Sequence, residues 1–107
     1  MQQATMVKRL GILHYQSSYE NIVEAARRGT VEDVKFFVEK QGVNVNAKNQ
    51  YGGTPLHTAA LANPNLEVLM YLISQGANAN IKDNTGFTPL DLAKTEEKKR
   101  ILREAME

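Results

Sequence analysis

An all-α solenoid of three stacked helix–turn–helix units is the fold class that this sequence predicts, and three observations predict it. Most of the segment Thr54-Pro55-Leu56-His57-Thr58-Ala59-Ala60 returns 34 residues later as Thr88-Pro89-Leu90-Asp91-Leu92-Ala93. The same offset relates Ala25 and Ala26 to Ala59 and Ala60, Gly42 to Gly76, Asn46 to Asn80 and Val34 to Val68. Between these markers, apolar residues recur at helical intervals of three and four. A period of this length, with Gly, Ala and aliphatic residues in phase, marks stacked structural units joined by short turns.

Composition narrows the function. The chain has 107 residues, 42% of them hydrophobic, which suits one domain with a modest core. Lys plus Arg number 13 against 12 Asp plus Glu, a net charge of +1, so there is no global pull toward nucleic acid or an anionic membrane. With no cysteine, disulfides, thiolate zinc sites and cysteine nucleophiles are excluded, in keeping with an intracellular, cytoplasmic protein. The apolar run after Lys8 and Arg9 is broken by Gly11, His14 and Gln16, too early for a signal peptide or membrane span. A soluble monomer is expected.

Residues 1–17 lie outside the repeat register. Met6, Val7, Leu10 and Leu13 follow helical spacing and predict an amphipathic capping segment over the open end of the stack. Repeat one, 18–49, predicts a helix over 20–28 with Ser18 as N-cap and Ile22, Ala25 and Ala26 inward. Gly29 breaks it. Val31, Val34, Phe37 and Val38 then give a second helix that ends near Gly42.

Repeat two, 50–83, places Pro55 at the first helical position, where its missing N–H costs nothing. Ala59 and Ala60 allow close helix approach. Asn63-Pro64-Asn65 is a turn by composition. Leu66, Val68, Leu69, Leu72 and Ile73 form the second helix, stopped by Gly76.

Repeat three, 84–107, restarts at Thr88. Its second helix, about 96–106, keeps Ile101, Leu102, Ala105 and Met106 on one side and crowds charge on the rest, as a solvated terminal cap would. Glu96–Arg100 and Arg100–Glu104 at i,i+4 add a few tenths of a kcal/mol each, on the order of 0.3.

These residues resemble the ankyrin repeat family over 18–107. The markers are Gly52-Gly53-Thr54-Pro55-Leu56-His57-Thr58-Ala59-Ala60, Gly76-Ala77-Asn78-Ala79-Asn80 and Gly86-Phe87-Thr88-Pro89-Leu90-Asp91-Leu92-Ala93. Repeat one is degenerate, with Glu20-Asn21-Ile22-Val23 in place of the Thr-Pro-Leu-His segment. Units one and two each carry one extra residue, near Gln41 and at Asn63-Pro64-Asn65. The resemblance implies an ankyrin-type solenoid whose work is holding another protein. It implies too that His57 bonds to backbone in the turn at the helix start, and that Asn46 and Asn80 sit where some members are hydroxylated.

No chemistry for an enzyme is legible. His14 and His57 have no carboxylate cluster or Cys at metal-ligand spacing. Ser17, Ser18 and Ser74 lack a nucleophile elbow. Gly52-Gly53 is followed by no Gly-Lys-Ser/Thr, so it is a turn and no phosphate loop. No cofactor or metal is expected. Lys8-Arg9, Arg27-Arg28 and Lys98-Lys99-Arg100 are short and not interleaved with aromatics, against nucleic-acid binding.

In proteins similar to this one, recognition uses the concave side: turn tips and exposed sides of first helices. Carried over by position, that selects Lys48, Gln50, Tyr51 and Gly53 in one turn and Lys82, Asn84, Thr85 and Phe87 in the next. Arg27, Arg28, Leu61 and Ala62 lie on first helices, and Tyr19 ahead of repeat one. Tyr51 and Phe87 stand in polar turns with little core to bury into, and Tyr and Arg dominate interface energetics. Arg27, Arg28, Lys48 and Lys82 predict a locally basic surface for an acidic segment of a partner protein. A structural fragment of a longer array and an inhibitor or decoy that blocks an enzyme surface are the alternatives.

Overall fold

Every first helix begins at a residue whose side chain closes the orphan N–H groups of the first turn. The computed structural model describes residues 18–107; the capping segment expected at 1–17 lies outside the described residues. Thr54 and Thr88 accept from the N–H of the third helical residue, and the side chains of His57 and Asp91 return to the cap N–H. Both helices, α3 (Pro55–Ala62) and α5 (Pro89–Leu92), open with proline. Helix α1 (Ile22–Arg28) is capped by Asn21, whose Oδ1 accepts from Glu24 N–H at 2.9 Å. The expected cap, Ser18, lies too early. A carboxamide at position 21 in extended backbone supplies the bond, and the helix starts two residues later than predicted.

The second helices are α2 (Val31–Lys35), α4 (Leu66–Ser74) and α6 (Glu96–Met106). Helix α2 runs on into a π-helical turn, Phe36–Lys40. There Gln41 N–H bonds to Phe36 O at 3.1 Å and Val43 N–H to Phe37 O at 2.9 Å. In repeat two the matching closure is one residue tighter, from Ala77 N–H to Leu72 O at 3.0 Å. The extra residue of repeat one is thus absorbed as a widened helical turn, the usual form of a one-residue insertion in a helix. In repeat two the extra residue is Pro64, set between the C-cap Asn63 and the N-cap Asn65. The caps Thr30 and Asn65 are therefore not 34 apart, and Val34 corresponds to Leu69, not to Val68 as a constant offset suggests. Both Val68 and Leu69 are buried.

Helices α1, α3 and α5 pack in one row, and α2, α4 and α6 in a second. The core runs between the rows through Ile22, Ala25, Ala26, Val34 and Phe37, then Leu56, Ala59, Ala60, Leu69 and Leu72, to Ala93 and Leu102. Alanines at 25, 26, 59 and 60 are fully covered and let α1 and α3 approach. No strand occurs among the described residues, and the predicted all-α solenoid of three helix pairs is the observed fold.

Directed polar bonds tie α1 and α3 each to the unit that follows. Thr58 Oγ1 donates to Val23 O at 2.7 Å. Asn63 Nδ2 donates to Ala26 O at 3.0 Å and Gly29 O at 2.9 Å, satisfying carbonyls at the end of α1. Lys98 Nζ does the same for α3, reaching Ala60 O at 3.1 Å.

Lys98 corrects the expectation of a wholly solvated α6. It is buried, and burial, then the nearby Lys94 charge, hold its ammonium below the usual lysine range. The i,i+4 pairs expected for Arg100 are not formed; the ion pair on α6 is Glu96–Lys99 at 3.5 Å.

Candidate functional site

Two hairpin turns project between the units, and both are built from the same bonds. In the first, Asn49 N–H bonds to Gly53 O at 2.9 Å and Gly52 N–H to Asn49 O at 3.0 Å. The Asn49 Oδ1 accepts from Tyr51 N–H and Gly53 N–H, both at 2.9 Å. In the second, Asp83 takes the place of Asn49. Its Oδ1 accepts from Thr85 N–H at 3.0 Å, Phe87 N–H at 2.9 Å and Thr85 Oγ1 at 2.8 Å. These bonds, led by that from Phe87 N–H, hold the Asp83 carboxyl below the usual carboxylate range. Gly52 and Gly86 take positive φ, +78° and +89°, which the turns require.

The hairpins are also bonded to one another. Asn84 N–H bonds to Tyr51 O at 2.9 Å and Asn84 Nδ2 to Gln50 O at 3.2 Å. Buried His57 accepts at Nδ1 from Thr54 N–H at 3.1 Å. Its Nε2 faces Phe87 O at 2.8 Å, an acceptor, so Nε2 carries the proton. The imidazole bridges a helix start to the following hairpin and has no vacant nitrogen for metal or catalysis. No group of three His, Cys, Asp or Glu that could hold a metal occurs among the described residues.

With the backbone tied down in this way, the aromatic side chains of the tips are left outside. Tyr51 is 67% exposed and Phe87 48%. A cleft of about 560 Å³ lies between the lead-in, the outer side of α1 and the first hairpin. It brings together Tyr19, Arg27, Arg28, Gln50 and Tyr51, five of the residues selected from the sequence. The Arg28 guanidinium lies 5.7 Å from the Tyr19 ring centre, and Tyr19 Oη donates to Arg28 O at 3.3 Å.

Elsewhere, Lys48 lines a separate hollow of about 340 Å³ with Ile22, Phe37 and Val43. Lys82, Asn84, Thr85 and Phe87 stay on the second hairpin, outside that cleft, and Leu61 is half-buried on α3. Asn84 and Thr85 spend polar groups on holding the turns.

Sequence reasoning passed over Glu24, which lies in the cleft beside Glu20, Asn21 and Asn49. Its carboxylate reaches Arg27 Nε at 3.3 Å and Arg28 Nη2 at 3.9 Å. Two glutamates and two arginines line the cleft, so its formal charge is balanced, where the sequence predicted a basic surface. The i,i+3 and i,i+4 spacing of Glu24 to both arginines was the available signal. Lys48 and Lys82, exposed and without an ion-pair partner among the described residues, keep the positive charge at the tips.

Stacked helix pairs with bonded hairpins and outward side chains define a helical-repeat interaction module. Residues 22–104 match ankyrin repeats in three copies, and the chain belongs to that family. Ankyrin repeats are protein-interaction modules, and the family is generally non-catalytic. One chain in the solved structure of the Bd0816 predatory endopeptidase from Bdellovibrio bacteriovorus in complex with immunity protein Bd3460 is similar, with a TM-score of 0.70 and 34% identity. The similarity covers 83% of the present chain and 47% of that one, so the present chain spans about half of its length. No curated protein matches at a significant level. No helix among the described residues is long and apolar enough to cross a membrane.

Proposed function

We propose that this chain is a monomeric, non-catalytic module that grips a partner protein with its concave side, the exposed faces of the first helices and the hairpin tips. The observation that carries the reading is the contrast within each hairpin: a fully bonded backbone beneath an exposed Tyr51 or Phe87. Rigid presentation lowers the ordering cost of association, and desolvating exposed aromatics supplies its driving force. The contact residues are Tyr19, Arg27, Arg28, Lys48, Gln50, Tyr51, Leu61, Lys82, Asn84, Thr85 and Phe87. An acidic partner segment pairs with Lys48 and Lys82 and competes with Glu24 for the two arginines, which makes association salt-sensitive. The near-neutral net charge argues against nucleic acid and membrane as partners, and the cysteine-free composition accords with a cytoplasmic location.

The test is affinity capture by the immobilised chain, with mass spectrometry, beside Tyr51→Ala and Arg28→Ala. Recovery of a partner should fall by roughly tenfold in either variant, the size of about 1.4 kcal/mol, while the melting temperature stays within about 2 °C. A large drop in melting temperature would show that these side chains support the fold.

A second reading, an inhibitor that blocks an enzyme surface, draws on the similar chain in the endopeptidase–immunity protein complex. If the captured partner is an enzyme, titrating in the chain should abolish its turnover at stoichiometry. Undiminished turnover at saturation leaves tethering as the function.

A further inference from the structure

The second helices carry an exposed apolar groove that no hairpin residue lines. It holds about 610 Å³ between α2 and α4, floored by Val31, Met70 and Tyr71. Met70 is 55% exposed, the third large exposed hydrophobic besides the two hairpin aromatics, and it lies mid-helix where no turn requires it. Tyr71 is fixed across the groove: its hydroxyl donates to Glu39 at 2.7 Å and its ring carries Lys35 Nζ at 5.9 Å. Lys35 keeps its charge over the ring, and Glu32 and Glu67 against it leave the rim acidic by one charge.

That charge is ordered. The second residue of α2, α4 and α6 is Glu32, Glu67 and Glu97, all exposed and without an ion-pair partner among the described residues. First-turn acids favour the helix dipole, which accounts for each of them singly; it does not account for Met70. Packed helices stand about 8–10 Å apart. Seven residues of an α-helix rise about 10.5 Å, so a helix laid across the row advances by about one helix spacing every two turns.

We propose that this outer groove docks a basic amphipathic helix of a second protein, its Lys or Arg residues at i, i+7 and i+14 facing Glu32, Glu67 and Glu97 and its intervening apolar residues covering Val31 and Met70. The surface is independent of the hairpin side, so both can be occupied together and the module can bridge two proteins. Field and geometry agree: burial and the Glu39 and Glu32 carboxylates push the Tyr71 hydroxyl up from its ordinary range.

Two fluorophore-labelled designed peptides of one composition test the proposal by anisotropy against the full chain. One carries lysine at i, i+7 and i+14 with leucine at the i+3 and i+4 positions between; the other has the same residues permuted around the helix. The ordered peptide should bind at least about tenfold tighter. Glu67→Lys should weaken it roughly fivefold, Met70→Ser should weaken it as well, and Tyr51→Ala should leave it unchanged. Equal affinity of the peptides, no binding, or indifference to Glu67→Lys overturns the proposal. Tighter peptide binding by a Lys8→Glu, Arg9→Glu variant would assign the groove to the chain's own N-terminal segment. A dimer mass reverting with Met70→Ser would assign it to a second copy. Either result also overturns the proposal.

Discussion

Asn63→Ala should be among the costliest single changes outside the apolar core. Asn63 is 2% exposed. It makes three bonds: two donated by Nδ2 across the repeat boundary, to Ala26 O and Gly29 O, and one accepted by Oδ1 from Asn65 N–H at 2.9 Å. At about 1 kcal/mol per bond the loss is about 3 kcal/mol, and the carbonyls left buried at the end of α1 raise it toward 4. For a domain of this size each kcal/mol moves the midpoint by roughly 4–8 °C, so the variant should melt roughly 12–32 °C lower. Asn63→Asp sharpens the test. It keeps the acceptor for Asn65 N–H but turns a carboxylate toward two carbonyl oxygens, and should do worse than alanine. Urea unfolding followed by far-UV circular dichroism at fixed protein concentration reads both. If Asn63→Ala lost under about 1 kcal/mol, or Asn63→Asp matched the wild type, the bonds across the repeat boundary would not be what joins the first two units.

Gly52→Ala should destabilise by roughly 2–3 kcal/mol, and Gly76→Ala by about 1–2. Both have positive φ, but a Cβ at Gly52 would lie 2.4 Å from Asn84 Oδ1 and 2.9 Å from Asn84 N, whereas at Gly76 it meets nothing within 4 Å. Equal losses in thermal melts would refute the role of close approach. For Asp83, the folded-state pKa is depressed below the ordinary 3.8, so its contribution is present above about pH 4 and is lost as pH falls through the folded value. Melting temperature measured from pH 5 to pH 2 should therefore fall more steeply in the wild type than in Asp83→Asn, which keeps an acceptor but does not titrate. Parallel curves would refute it.

The repeat was legible because its period is written in residues with backbone duties. Thr-Pro at 54–55 and 88–89 fixes helix starts, and Gly42, Gly76 and Gly86 mark left-handed positions. The shift of register in the second helices was not, because Val68 and Leu69 are equally apolar and either could answer to Val34. Only the caps Thr30 and Asn65 decide between them. Lys98 was misread for a related reason. Within a run of charged residues, nothing local distinguishes the ammonium that finds the carbonyl end of α3 from those that face water. The clustering of Tyr19, Arg28 and Tyr51 followed from placing first helices and tips on one side. The balancing of that cleft by Glu24 needed helical spacing to be applied inside α1 itself.

The insertion of repeat one falls among second-helix residues, where directed bonds between units are few; that of repeat two follows Asn63, which keeps its bonds to Ala26 O and Gly29 O because Pro64 is added after it. Thr58 to Val23, Asn63 to Ala26 and Gly29, Lys98 to Ala60, His57 to Phe87 and Asn84 to Gln50 and Tyr51 all end on first helices or hairpins. Between the second helices a side-chain bond runs from Tyr71 to Glu39, on an exposed surface. Apolar contacts are non-directional and tolerate a widened π turn at Phe36–Lys40, since Phe37 can still enter the core. Hydrogen bonds at 2.7–3.1 Å do not tolerate a shift of one residue. The 34-residue spacing therefore survives on the side that carries Tyr51 and Phe87 and drifts on the other. A surface whose spacing is held by directed bonds presents its side chains in a fixed array, which is the physical basis for the proposal that the hairpin side grips a partner.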